Sequence, residues 1–135
     1  MKLFLDACVL IYRLEEVHPW NARVAELLHG LRLEHPDAGL AVSRLSQLEC
    51  RIKPMRDGNQ ARLERYDAFF ASPDLRVVEL DAHVIEGATR LRAYYGLRTP
   101  DAIQAASCLS MGEPAIFISN DRAFERLPFA GLRLI

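Results

Sequence analysis

Leu3-Phe4-Leu5-Asp6 is the stretch on which the reading of this chain turns. Three apolar residues end abruptly in a carboxylate. A short apolar run bounded by a charge reads as a buried strand. Asp6 then stands at the strand's C-terminal end. In open α/β sheets ligands collect outside that edge, where the strand order reverses.

Working outward, Ala7 to Tyr12 is apolar and unbroken, and is expected to turn into a short helix packed under the first strand. From Asn21 to Leu33, Val24, Leu27, Leu28 and Leu31 keep helical spacing. Leu40-Ala41-Val42 is a brief strand, and Ser43 takes the N-cap position of a helix from Arg44 to about Lys53. Leu45, Leu48 and Ile52 are its apolar stripe, and Pro54 limits it. Gln60 to Phe70 is a further helix, with Leu63, Tyr66, Phe69 and Phe70 inward.

Leu75 to Leu80 alternates as a strand does, and Asp81 caps a helix from Ala82 to Tyr95 that Gly96 ends. Thr99-Pro100-Asp101 predicts a helix start, with Thr99 as N-cap, Pro100 at the first position and an acid in the first turn. That helix runs to Met111. Ala115 to Ile118 is apolar throughout, as a strand buried on both faces is. Asp121 caps a short helix through Glu125, and Gly131 to Ile135 is a last short strand. Strands alternating with helices predict an α/β domain, a three-layer α/β/α sandwich around a mainly parallel sheet of four to five short strands.

The totals set limits. At 135 residues, one domain spanning 1–135 is expected. The net charge of −1 gives no overall positive field for nucleic acid, so any such contact must come from local Lys/Arg clusters. Cys8, Cys50 and Cys108 are odd in number and far apart, which argues against a disulfide framework or a zinc site and fits a reducing cytosol. Each is read as a small core residue. The four histidines are scattered without ligand spacing and are placed on the surface. Asp6 interrupts the apolar N-terminus, so no signal peptide is read there. No apolar run approaches a membrane span. A cytoplasmic protein without membrane contact is expected.

Four acids stand out by position. Asp6 ends the first strand, Asp121 follows the fourth, Asp101 sits in a helix's first turn, and Glu49 lies on the helix after Ser43, off its apolar stripe. If the first and fourth strands are neighbours, Asp6 and Asp121 end side by side. Clustered carboxylates repel and raise one another's pKa. A hard divalent cation offsets that repulsion, since Mg²⁺ takes oxygen ligands and keeps waters and substrate phosphates in its shell. Such a site can activate water against a phosphodiester. Taken singly, each acid has a plainer explanation as a cap, a partner of the helix dipole or a solvated residue. The joint pattern is what points to chemistry.

Those same stretches carry a resemblance. Leu3-Phe4-Leu5-Asp6 resembles the opening of a PIN domain, and Ser46-Gln47-Leu48-Glu49 resembles its second acidic element. Thr99-Pro100-Asp101-Ala102-Ile103-Gln104-Ala105-Ala106 is similar to the family's "D-A-hydrophobic-x-A-A" helix, and Ile118-Ser119-Asn120-Asp121-Arg122-Ala123-Phe124 to its "T/S-N-D-x-x-F" element. Order and spacing fit across essentially the whole chain. Its length and Glu49-Cys50-Arg51-Ile52-Lys53-Pro54 look most like VapC-type toxins of type II toxin–antitoxin pairs.

The resemblance implies a Mg²⁺- or Mn²⁺-dependent endoribonuclease, a homodimer, acting on RNA and inhibited by a cognate antitoxin. It assigns metal binding and catalysis to Asp6, Glu49, Asp101 and Asp121, with Asp6 and Asp101 the principal ligands and Ser119 and Asn120 in support. Arg51, Lys53 and Arg56 are candidate contacts to RNA phosphates or to the antitoxin. A solvated basic helix end explains them equally. Tyr12 and Trp20 are read as packing residues before stacking platforms. Two other readings stand beside the nuclease: a catalytically silent PIN-like module that binds RNA or protein, and a small phosphohydrolase with Asp6 as nucleophile. The second lacks a second acid after Asp6, where Cys8 stands, and lacks a lysine after the fourth strand.

Overall fold

The structure is a computed structural model that describes residues 1–129 and 131–135. Its sheet has five parallel strands: β1 (Lys2–Leu5), β2 (Gly39–Ser43), β3 (Arg76–Val78), β4 (Ala115–Ser119) and β5 (Leu132–Leu134). They lie in the order β3-β2-β1-β4-β5. The chain therefore winds outward from β1 to β3 and returns to fill the other side. The reversal falls between β1 and β4, where Leu5 pairs with Ile118. The amide of Asp6 donates to the Ile118 carbonyl at 3.0 Å. Asp6 and Ser119 thus leave the sheet side by side.

Helices α1 (Ala7–Leu14), α2 (Trp20–Glu34), α3 (Arg44–Arg56), α4 (Gln60–Phe70), α5 (Ala82–Tyr95) and α6 (Thr99–Leu109) cover the sheet. Leu3, Leu5, Val42, Ile116 and Ile118 pack on one face with α1 to α4, where Val24, Cys50, Tyr66 and Phe70 meet them. Phe4, Ala41, Val78 and Phe117 pack on the other with α5 and α6. The expected three layers are present. The alternation of Leu3 and Leu5 against Phe4 divides β1 between two cores, as a doubly covered parallel strand requires.

Several helix starts follow from side-chain caps. Ser43 Oγ accepts from the Leu45 amide at 3.1 Å and Asp81 Oδ1 from Val84 at 2.9 Å, as expected. Gly96 ends α5 at φ +68, a left-handed conformation that favours glycine.

Other expectations need correction. The N-cap of α6 is Arg98, without a side-chain cap bond, and Thr99 is already helical. Helix α3 continues through Pro54 to Arg56, since proline removes one amide only a turn from the helix end. β3 is three residues long rather than six. The largest departure concerns the face of α3. Its buried residues are Ser46, Cys50 and Pro54, whereas Leu48 is 58%, Ile52 50% and Met55 56% exposed. The apolar stripe points outward, and small or polar residues face inward.

Candidate metal centre

Four elements deliver four acids to one cavity. Asp6 leaves β1, Glu49 projects from α3, Asp101 from the first turn of α6, and Asp121 follows β4. Ala7, Cys8, Tyr12 and Asn120 complete the lining. The cavity lies outside the C-terminal ends of β1 and β4, where the winding reverses.

Asp6 is the deepest of the four, 9% exposed. It caps α1, with Oδ1 accepting from the Ala7 amide at 2.8 Å. Oδ2 accepts from the Ser119 hydroxyl at 2.7 Å. Ser119 Oγ also accepts from the Asp121 amide at 3.0 Å, so one buried hydroxyl ties together the loops bearing Asp6 and Asp121. Asp121 in turn accepts from Ala123 at 2.8 Å and caps a 3-10 turn, Arg122–Arg126. Asn120 donates to the Tyr12 hydroxyl at 3.1 Å, and the Tyr12 ring stacks on Trp20 at 5.4 Å. Arg98 stands 3.5 Å from Asp101.

The electrostatics match this crowding. Burial raises Asp6 from an ordinary 3.8 to about 6, and the charges of Glu49 and Asp101 push the same way, against the hydrogen bonds from Ser119 and Ala7. Asp101 is raised by burial and then by Asp121, with Arg98 opposing. The charges of Glu49 and Asp101 thus disfavour the ionised form of Asp6, and that of Asp121 disfavours ionised Asp101, the condition that a cation relieves. Cys8, read from sequence as a core residue, packs half-buried against the core and also lines the cavity, with its sulfur 3.8 Å from Asp6 Oδ2. Burial, then the charge of Asp6, pushes its thiol up to about 12, which keeps it protonated at neutral pH.

Among the described residues, no trio of His, Cys, Asp or Glu converges tightly enough to form a ready-made metal cage. The donor set is nevertheless four carboxylates with no imidazole. That chemistry fits a hard divalent cation bound by one or two carboxylates and reaching the rest through its own waters. It does not fit zinc.

The basic residues lie elsewhere. Arg51 is an ion-pair distance of 3.0 Å from Asp67, though its Nε is not aligned as a hydrogen-bond donor. Lys53 pairs with Asp57 at 2.9 Å, and both Lys53 and Arg56 are exposed. None of Arg51, Lys53 and Arg56 lines the acidic cavity. His18, His29 and His83 are exposed as expected, and His35 is half-buried.

Gln104 and Ser46 carried no role in the sequence reading. Gln104 is 1% exposed, and its Nε2 donates to Ser46 Oγ at 2.9 Å and to Glu49 Oε1 at 3.0 Å. The available signal was an amide on the alanine-rich buried face of α6, three residues after Asp101.

Fold and site together define an α/β domain with an acid-lined cavity at its sheet edge. The chain matches the PIN domain family model over residues 3–130 and belongs to that family. The nucleases of this family generally use divalent metals. Comparison with curated protein sequences yields no match. Among solved structures, the chain is similar to VapBC2 from Rickettsia felis bound to a DNA fragment from its promoter, with TM-score 0.74, 16% identity, and 99% of this chain and 98% of that one covered. A toxin–antitoxin complex from Klebsiella pneumoniae gives 0.71 and 17%, covering 97% and 95%. VapBC-5 of Mycobacterium tuberculosis gives 0.62 and 20%, covering 99% and 97%.

Proposed function

We propose that the chain is a VapC-type toxin, a Mg²⁺- or Mn²⁺-dependent endoribonuclease formed by residues 1–135 as one nuclease unit and working in the cytoplasm. The observation that carries this reading is the single cavity lined by Asp6, Glu49, Asp101 and Asp121 from four separate elements. Asp6 and Asp101 would hold the cation, Glu49 and Asp121 would reach it directly or through water, and Ser119 would keep Asp6 oriented. Bound there, a divalent cation would lower the pKa of a water and stabilise charge on the scissile phosphate. The chain's own part is to gather the carboxylates and hold their oxygens outside the sheet edge.

The fold neighbours are toxin–antitoxin complexes, which supports a cognate antitoxin as partner. We place it on the outward stripe of Leu48, Ile52 and Met55 together with Leu80, beside Arg44 and Arg51. This groove shares α3 with Glu49, so a segment seated there lies within a helical turn of the acid it must silence. Sedimentation of the free chain tests the assignment. A monomer leaves the stripe to the antitoxin. A homodimer that separates on Leu48→Asp assigns it to a second copy.

No helix among the described residues is long and apolar enough to cross a membrane. The deciding experiment is cleavage of pooled cellular RNA with Mg²⁺, with Mn²⁺ and with EDTA, beside Asp6→Asn. Discrete products that need metal and vanish in the variant are expected. The spread of the acids favours one second reading, a silent binding module. Absence of both cleavage and Mn²⁺ binding in calorimetry would establish it.

A further inference from the structure

A buried polar seam joins α3 to α6. Ser43, Ser46, Gln104 and Ser107 are each 1% exposed or less. Ser107 Oγ meets Ser43 Oγ at 3.0 Å and donates to the Ile103 carbonyl at 2.7 Å. One turn nearer the cavity, Gln104 spends both hydrogens of its amide nitrogen on Ser46 and Glu49. Its Oε1 is buried with no hydrogen-bond partner. An orphaned buried carbonyl bears its full desolvation penalty. Turning the amide over would give no relief, because it would set the oxygen against the Glu49 carboxylate. A methionine here would fill the same space without the unpaired carbonyl, but would leave buried Ser46 Oγ without the amide that donates to it. The amide therefore carries an unpaired carbonyl and fixes the one side chain that reaches the cavity from α3.

We propose that Gln104 is a positioning residue for the metal centre, holding the Glu49 carboxylate toward the cavity it shares with Asp6 and Asp101. This rests on the nuclease reading above. Glu49 stands on a helix whose apolar stripe faces outward and whose neighbours Leu48 and Ile52 are exposed. Without a fixed donor its flexible side chain would spread over rotamers, and the entropy of ordering it would fall on cation binding. Gln104 meets that cost at folding, as residues hydrogen-bonded to metal ligands do.

The test is calorimetric titration of Mn²⁺ into the metal-free chain, with thermal unfolding in EDTA alongside. Gln104→Met is expected to bind Mn²⁺ about 10–100-fold more weakly while melting close to the parent, because it exchanges the unpaired Oε1 for an unpaired Ser46 hydroxyl. The double variant Gln104→Met/Glu49→Gln should bind no more weakly than Glu49→Gln alone, because the amide acts through that carboxylate. Ser107→Ala loosens the same seam without touching Glu49, and should lower the melting temperature and leave Mn²⁺ affinity unchanged. Should Gln104→Met melt well below the parent, Ser46→Ala, which frees one anchor of the amide, should still weaken Mn²⁺ binding. The proposal is overturned by unchanged affinity in Gln104→Met, by losses that multiply in the double variant, or by an equal loss in Ser107→Ala. If the parent chain itself binds no Mn²⁺, the nuclease reading falls and this role with it.

Discussion

Helices α3 and α6 each lend one carboxylate to the same cavity, yet they are built on opposite plans. Helix α6 buries Ala102, Ala105, Ala106 and Cys108, and its small residues let it lie close to the sheet and to α5. A Cβ on Gly87 of α5 would already stand 3.4 Å from the Ala106 methyl. Helix α3 buries Ser46, Cys50 and Pro54 and leaves Leu48, Ile52 and Met55 in solvent. The two share the polar seam, but α6 adds close apolar packing to it, whereas α3 adds little beyond Cys50 and a cap. An acid on a well-packed helix is rigid by default, whereas an acid on α3 needs a dedicated hydrogen bond. Apolar spacing locates a helix, but whether its stripe meets the core or a partner depends on what the opposite face must carry.

The largest effects should come where the two plans meet. Asp101→Asn on α6 and Glu49→Gln on α3 are each expected to lower metal-dependent RNA cleavage by about 10²–10⁴-fold, the usual range for a group acting at the reacting centre. Loss in only one of them, measured as initial rates, would break the symmetry of the site.

A pH effect of up to about 3 kcal/mol should follow from Asp6, whose pKa is raised from 3.8 to about 6 on folding. Between those values the unfolded chain loses its proton first, so the folded state holds more protons and stability falls as pH rises. In EDTA, the melting temperature of the parent relative to Asp6→Asn should drop from pH 4 to pH 7. Glu49→Gln and Asp101→Asn should each reduce that drop, since both charges raise Asp6.

Overpacking separates the helices next. Ala106→Leu on α6 should cost about 1–3 kcal/mol in urea unfolding. The smallest effect belongs to the outward stripe. Leu48→Ser should change the stability of the isolated chain by no more than about 0.5 kcal/mol, as surface changes usually do. A larger loss would mean that the stripe is packed in the free protein.

Much of this molecule could be read from local chemistry. The strands, the order of elements and the caps Ser43 and Asp81 follow from periodicity and from side chains that satisfy nearby amides. Asp6, Asp101 and Asp121 were legible as outliers at element ends, and Glu49 as an acid off its helix's apolar stripe. Their meeting was legible only as a condition and through the family resemblance, because strand order is a long-range property, and it is the pairing of β1 with β4 that brings residues 6 and 121 together. The outward face of α3 was illegible for a different reason. A helical stripe does not record which side faces the sheet, and here the inward face is marked by a serine and a cysteine. Gln104 escaped because a lone amide gains its meaning only from the carboxylate on another helix.

β1 takes its two neighbours at very different times. Leu3 pairs with Leu40 on one side and with Ile116 on the other, so the second pairing waits for more than a hundred residues of chain. During synthesis from the N-terminus, Asp6 exists long before Ser119 can hold it or Asp121 can join it. A nascent chain stopped short of β4 therefore has an open strand edge and an incomplete set of acids. On the proposed RNA-cutting function, that order of assembly means the ribosome making the chain does not meet a complete set of acids until the segment bearing Asp121 has emerged.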